Sequence, residues 1–213
     1  MAQLAVIIPA MRPNRLPDAL STLDQSTTNY RVIVVAAGEC AEVARRTEGP
    51  IVVVEDQGGT WAQRLNRGYK VTDESYIYTG ADDLAWRPGW FESAQRILDS
   101  IDGVVATNDL HNMAGTHFLL TRNYIDTIGA ALGQPLGTIA DEGFEHCYAD
   151  DFLRSTAKHH GRWGGVVRDA VVEHMHPGAG KAESDEIYKL GEATMGQGLA
   201  AYQERAHLWE NNA

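Results

Sequence analysis

Two pairs of adjacent carboxylates and two closely spaced histidines hold most of the chemical potential of this sequence: Asp82-Asp83, Asp150-Asp151, and His174 with His176. Asp82 and Asp83 follow the apolar run Tyr76-Ile77-Tyr78-Thr79 across Gly80 and Ala81. Two acids at the end of a buried strand repel each other unless water, a proton, a basic residue or a divalent ion offsets their charge. Their hard oxygens suit Mg²⁺ or Mn²⁺ and could hold such an ion against a nucleotide diphosphate. A solvated turn or a helix cap is the alternative reading. His174 and His176 lie two residues apart after the apolar Val171-Val172, so in a continuing strand both rings face one side. A neutral imidazole there could complete the coordination of Asp82; two ordinary strand-end histidines are the alternative. Asp150 and Asp151 open a helix-like stretch, where carboxylates are favoured by the helix dipole.

The elements that must position these residues are legible as alternating patterns. Leu4–Ile8, Tyr30–Ala36, Ile51–Glu55 and Tyr76–Thr79 read as short strands, the first of them buried on both faces. Helical spacing through Leu16, Leu20 and Leu23, around Glu39–Arg46, and through Trp61, Leu65 and Tyr69 separates them, with Thr60 as a cap for the third. Pro88-Gly89-Trp90 leads into a further helix; Val104–Ala106, Thr116–Thr121 and Val166–His174 read as later strands, and Gln134–Glu142 as a loop or lid. Strands alternating with helices predict an α/β fold, a single nucleotide-binding domain with a central mostly parallel sheet flanked by helices. The expected organisation is one domain over 1–182 and an acidic helical extension over 183–213.

Composition excludes several classes. With 18 Lys+Arg against 29 Asp+Glu among 213 residues, the formal charge is −11, so no basic surplus exists to coat nucleic acid. Cys40 and Cys147 form neither a disulfide framework nor a zinc pair, which fits a reducing, cytoplasmic compartment. No run approaches the roughly 18 apolar residues of a membrane span. Gly58-Gly59 is too short for a phosphate-binding Walker loop, and no dinucleotide-binding glycine pattern is present.

The segment Gly80-Ala81-Asp82-Asp83-Leu84-Ala85-Trp86-Arg87-Pro88-Gly89-Trp90 resembles the metal-binding region of family-2 glycosyltransferases with the GT-A fold. Val6-Ile7-Ile8-Pro9 followed by Asn14-Arg15 is similar to that family's first strand and loop, and Ala62–Gly68 to the helix after its third strand. Tyr148-Ala149-Asp150-Asp151-Phe152-Leu153-Arg154 resembles the acidic motif opening its acceptor-side helix. The resemblance spans about residues 4–176. It implies that Asp82 holds Mn²⁺ or Mg²⁺ on the donor diphosphate, with His174 as the closest match to a late histidine ligand and His176 as the second choice. It also implies that Asp150, or Asp151 if the motif is read as an acidic pair, removes the acceptor proton. Two positions depart from the family pattern: Gly80 stands where its first Asp falls, and Ala36-Ala37-Gly38 where a base-reading acid is common.

Donor contacts are expected from the crevice positions. Pro9 would sit beside the nucleoside by resemblance. Arg15 would contact phosphate or cap a sheet edge, Asp56 could meet the base, and Arg64 the diphosphate or base. Asn66 is expected to fix backbone, Trp90 to pack in the core, Trp86 to wall the donor sugar or acceptor, and Trp61 to pack its helix. The expected activity is metal-dependent, inverting transfer of a sugar from a nucleotide-diphosphate donor, with UDP the favoured carrier, to an acceptor hydroxyl. The acceptor would be soluble or transiently bound at a membrane surface. A sugar-phosphate nucleotidyltransferase and a non-catalytic carbohydrate-binding or assembly protein are the alternatives.

Overall fold

β-Branched and apolar residues run uninterrupted through β1 (Leu4–Pro9), and all six of its residues are buried. In the computed structural model β1 lies inside the sheet, parallel to both β2 (Tyr30–Ala36) and β4 (Tyr76–Thr79). β3 (Ile51–Glu55) extends the sheet beyond β2, again parallel. The structure describes residues 3–56, 58–112 and 114–210; the outermost ends of the expected 1–182 and 183–213 segments lie outside the described residues.

The other half of the sheet corrects the expectation of a mostly parallel arrangement. It is built from β5 (Leu84–Trp86), β6 (Val104–Asn108), β7 (Phe118–Thr121) and β8 (Trp163–His174), giving the order β3-β2-β1-β4-β7-β6-β8-β5. β7 is antiparallel to both β4 and β6, and β5 is antiparallel to β8, so the sheet is mixed. The physical reason lies in the connections. β6 reaches β7 without an intervening helix, and a parallel crossover needs a dozen or more residues, usually with a helix. The three residues of β5 are too few to show a period.

Alternation along β1 divides the core. Val6 and Ile8 face a cluster built with α1 (Leu16–Ser26), α2 (Gly38–Arg46) and α4 (Trp90–Ile101), through Leu20, Leu23, Ala41, Trp90 and Leu98. Ala5 and Ile7 face α3 (Trp61–Tyr69) and α5 (Ala149–His159), through Leu65, Tyr69, Leu153 and Ala157. Thr60 caps α3 as expected, its hydroxyl accepting from the Gln63 amide while the Gln63 side chain accepts from the Thr60 amide.

The Gln134–Glu142 stretch is irregular, but it is pinned rather than free. The Asn66 side chain accepts from the amides of Ile139 and Ala140 and donates to the Ala140 carbonyl, and both of those residues are buried. The chain then closes with α6 (Glu186–Glu204) and α7 (His207–Glu210). Their Tyr202 and Trp209 pack on Tyr148 and Phe152, so the described part of the extension is docked against the start of α5. No helix among the described residues is long and apolar enough to cross a membrane.

Candidate active site

The C-terminal ends of β1 and β4 open onto a cleft of about 430 Å³. Strand ends at this edge are where open α/β sheets bind ligands. Pro9, Asp82, Asp83, Asp150, Asp151, His174 and His176 all line this cleft, together with residues that sequence reasoning did not single out, chiefly Arg12 and Tyr188. Arg15, Asp56 and Arg64 lie outside its lining.

The two acids after β4 have divided their partners. Asp82 is almost fully buried and accepts from the Met11 amide at 2.5 Å, the Arg12 amide at 2.7 Å and Arg12 Nη1 at 2.8 Å. Asp83 instead accepts from the Tyr188 hydroxyl at 2.6 Å, and His174 Nε2 lies 3.4 Å from the same oxygen. His174 therefore sits against Asp83, not against Asp82 as the sequence suggested. Burial and repulsion from Asp83 push the Asp82 carboxyl up, against the pull of Arg12. Burial also opposes ionisation of Asp83, but contact with His174, Arg12 and Tyr188 outweighs it and holds that carboxyl well below the usual carboxylate range. Gly80, where the family pattern has an Asp, donates its amide to the Ile7 carbonyl at 2.7 Å. A Cβ there would come within 2.9 Å of that carbonyl oxygen, so the close approach of β4 to β1 leaves no room for a side chain.

A divalent ion can be tested against the donor atoms that remain. The oxygens of Asp82 are committed to Met11 and Arg12. Asp83 Oδ1 and His174 Nδ1 are buried without a hydrogen-bond partner among the described residues. Leaving a buried polar atom unpaired costs roughly 1–3 kcal/mol, and more for a charged group, so a cation beside Asp83 would satisfy an existing deficit. Among the described residues no three His, Cys, Asp or Glu side chains form an ion cage. Mg²⁺ is commonly held by only one or two carboxylates, with substrate phosphates and water completing its shell. Asp83 supplies the single carboxylate of that pattern, and the unpaired His174 Nδ1 is an additional nitrogen donor next to it. His176 is occupied locally: its Nδ1 accepts from the Gly178 amide at 3.0 Å, and its ring stacks on His111.

Asp150 and Asp151 face different environments in the first turn of α5. Asp151 is ion-paired with Arg154. Asp150 has no ion pair or side-chain hydrogen bond among the described residues; only nearby backbone amides touch it. Burial, then repulsion from Asp151, push its pKa up to about 6. The residue before the helix, Tyr148, adopts φ +71°, a strained conformation for a non-glycine side chain, and lines the cleft beside Asp150.

The raised pKa has a consequence for folding. The folded protein binds the Asp150 proton more tightly than the unfolded chain does, so this group's contribution is fully present below about pH 4 and is lost as pH rises through about 6. Asp150→Asn should therefore be more stable than the parent at pH 7.5, by on the order of 2 kcal/mol, and show little gain at pH 4. Urea denaturation of both proteins at the two pH values measures this difference.

The remaining expected contacts are distributed around the cleft. Arg15 Nη1 lies 3.1 Å from the Tyr188 hydroxyl, and its Nη2 reaches Asp185 at 3.3 Å. Asp56, past the end of β3, is buried and paired with Arg64 at 2.7 Å and with Arg67. Arg64 Nη1 is buried without a partner among the described residues. Trp86 corrects its expectation: at 2% exposure it belongs to the core, its ring edge-on to Tyr78, because β5 turns it inward. Trp61 packs against the core as expected and also lines the cleft. His117, also lining it, is buried and beside His174, which lowers its pKa to about 3 and keeps it neutral.

Comparison with known proteins places this architecture. The model of the family described as "Glycosyl transferase family 2" matches residues 5–154. The chain belongs to glycosyl transferase family 2. The matched span of this family-2 chain runs from β1 through the first turns of α5 and so includes both acidic pairs, whereas His174 and Tyr188 lie beyond it. No curated protein sequence matches the chain. Among solved structures, S. aureus TarS 1-349 superposes with a TM-score of 0.63 at 11% identity, covering 81% of this chain and 60% of that one. The same TarS fragment in complex with UDP-GlcNAc gives a TM-score of 0.63 at 11% identity, with coverages of 85% and 62%. A longer TarS structure gives 0.61, and there the family-2 chain spans only 36% of its counterpart. At these identities the likeness shows a shared fold.

Proposed function

We propose that this chain transfers a sugar from a nucleotide-diphosphate donor, with UDP the favoured carrier, to an acceptor hydroxyl in one inverting displacement. The observation that carries the reading is that Asp150, unpaired and with a pKa raised to about 6, shares one cleft with the acid pair at the end of β4. A carboxylate titrating near 6 is deprotonated at neutral pH yet basic enough to accept a proton from an attacking hydroxyl. Asp83 with His174 would hold Mg²⁺ or Mn²⁺. A divalent ion bound there would stabilise negative charge on the departing diphosphate. Asp82 has a different part: through the Met11 and Arg12 amides it fixes the loop after β1, and with it the position of Pro9 and Arg12. Trp61 and Tyr148 offer aromatic surface for a sugar ring.

The direct test is product analysis with Mn²⁺ present. Release of a nucleoside diphosphate from any member of a sugar-nucleotide panel supports transfer. Release of pyrophosphate from a nucleoside triphosphate plus a sugar phosphate would instead favour a nucleotidyltransferase. Sugar binding with neither product would favour a non-catalytic binding role. In the reading proposed here, kcat/KM rises about tenfold per pH unit below pH 6 and levels above it, as a single base near that pKa requires.

A further inference from the structure

Asp185 stands 173 residues along the chain from Arg12, yet Arg12 Nε donates to it at 2.7 Å. Arg15 Nη2 lies 3.3 Å from the same carboxylate oxygen. The other oxygen accepts from the amides of Ile187 and Tyr188 at 3.0 and 3.1 Å, capping α6. One carboxylate thus sits in a four-donor cradle of two guanidinium groups and two amides. A cap requires only a neutral oxygen, and Asn serves as well as Asp, so the cap does not explain why two arginines converge there.

The Arg12 guanidinium that holds Asp185 also holds Asp82 through Nη1. Tyr188, in the first turn of α6, lies with its ring centroid 4.4 Å from Arg12 Cζ and donates a hydrogen bond from its hydroxyl to Asp83. The start of α6 is therefore attached to the acid pair by charge. Three acids, Asp82, Asp83 and Asp185, face two arginines. Arginine forks bind carboxylate and phosphate with the same bidentate geometry, and the Asp185 side chain is 32% exposed, within reach of a solute.

We propose that Arg12 and Arg15 form a diphosphate cradle that Asp185 occupies as an internal anion, so that donor phosphates and the start of α6 compete for the same guanidinium groups. This rests on the nucleotide-sugar reading for its ligand, a nucleoside diphosphate, but not for its test. When the diphosphate takes the cradle, Asp185 is displaced, and Tyr188 is drawn away from Asp83 with it. The acid that fits a divalent ion is then released at the moment the donor arrives. The internal anion lowers apparent affinity by the fraction of molecules in which it holds the cradle.

The test is calorimetric titration of the full chain with inorganic pyrophosphate. Asp185→Asn keeps a capping oxygen and removes the charge; it should bind pyrophosphate about tenfold more tightly than the parent. Adding Arg15→Ala to that variant should abolish the gain. Equal or weaker binding by Asp185→Asn, with an unchanged melting temperature, would overturn the proposal. Should Asp185→Asn fold poorly, Asp185→Ser supplies another neutral cap for the same comparison. Sugar-nucleotide turnover is scored separately. Tighter pyrophosphate binding without turnover on any donor would retain the cradle and reject the transferase reading; turnover without that gain would do the reverse.

Discussion

Asp150→Asn is expected to lower kcat by roughly a hundredfold to ten-thousandfold while leaving donor KM close to that of the parent. The asymmetry between adjacent acids is the reason. Asp151 is neutralised by Arg154, whose other contacts are the carbonyls of Ala114 and Gly115. Asp150 has no such partner, and its proton affinity is raised by burial and by Asp151. An amide in its place keeps the shape but cannot accept a proton from a hydroxyl. Asp151→Asn removes repulsion from its neighbour and should lower the Asp150 pKa. Its expected signature is a shift of the pH–rate profile to lower pH with a modest rate change. Steady-state kinetics on both variants decides between them, and loss of turnover in Asp151→Asn alone would transfer the role.

Arg12→Met is expected to cost about 3–5 kcal/mol of stability at neutral pH, the usual cost of leaving a buried charge without its partner. Arg12 Nη1 lies 2.8 Å from Asp82 and 3.4 Å from Asp83, and all three side chains are less than a tenth exposed. Methionine fills much of the same volume, so the loss is electrostatic more than a packing defect. Without the guanidinium, Asp82, whose carboxyl burial already pushes upward, protonates more readily in the folded state. The deficit should therefore shrink as pH falls from 8 towards 5, and grow again on return. Urea denaturation across that range reads both the size and the sign. A deficit independent of pH would mean that Arg12 acts by shape.

Much of the fold was legible because burial writes itself into short sequence runs. The ranges of β2, β3 and β4 follow directly from their apolar stretches, and the Thr60 cap from its position before Trp61. The antiparallel pairings of β7 and β5 were not legible, since direction is set by connection geometry that no periodicity records. The acid pairs and late histidines were found from residue type and spacing, but their pairing was not. Which of Asp82 and Asp83 faces His174 depends on where the loop after β1 presents two amides, a fact of backbone geometry. Arg12 is not legible in the sequence, because nothing local distinguishes an arginine that crosses the cleft from a solvated one. Tyr188 and Asp185 were hidden in an apparently separate extension whose distance along the chain conceals its docking on the acid pair.

Single displacement with Asp150 as base predicts a stereochemical outcome that can be read without knowing the acceptor, since water can take its place. An α-linked sugar nucleotide hydrolysed by the protein with Mn²⁺ should yield the β-anomer first, followed by proton NMR before mutarotation mixes the two, and this product should vanish in Asp150→Asn. Release of the α-anomer first would mean retention of configuration, which a single back-side displacement cannot give, and would contradict the account.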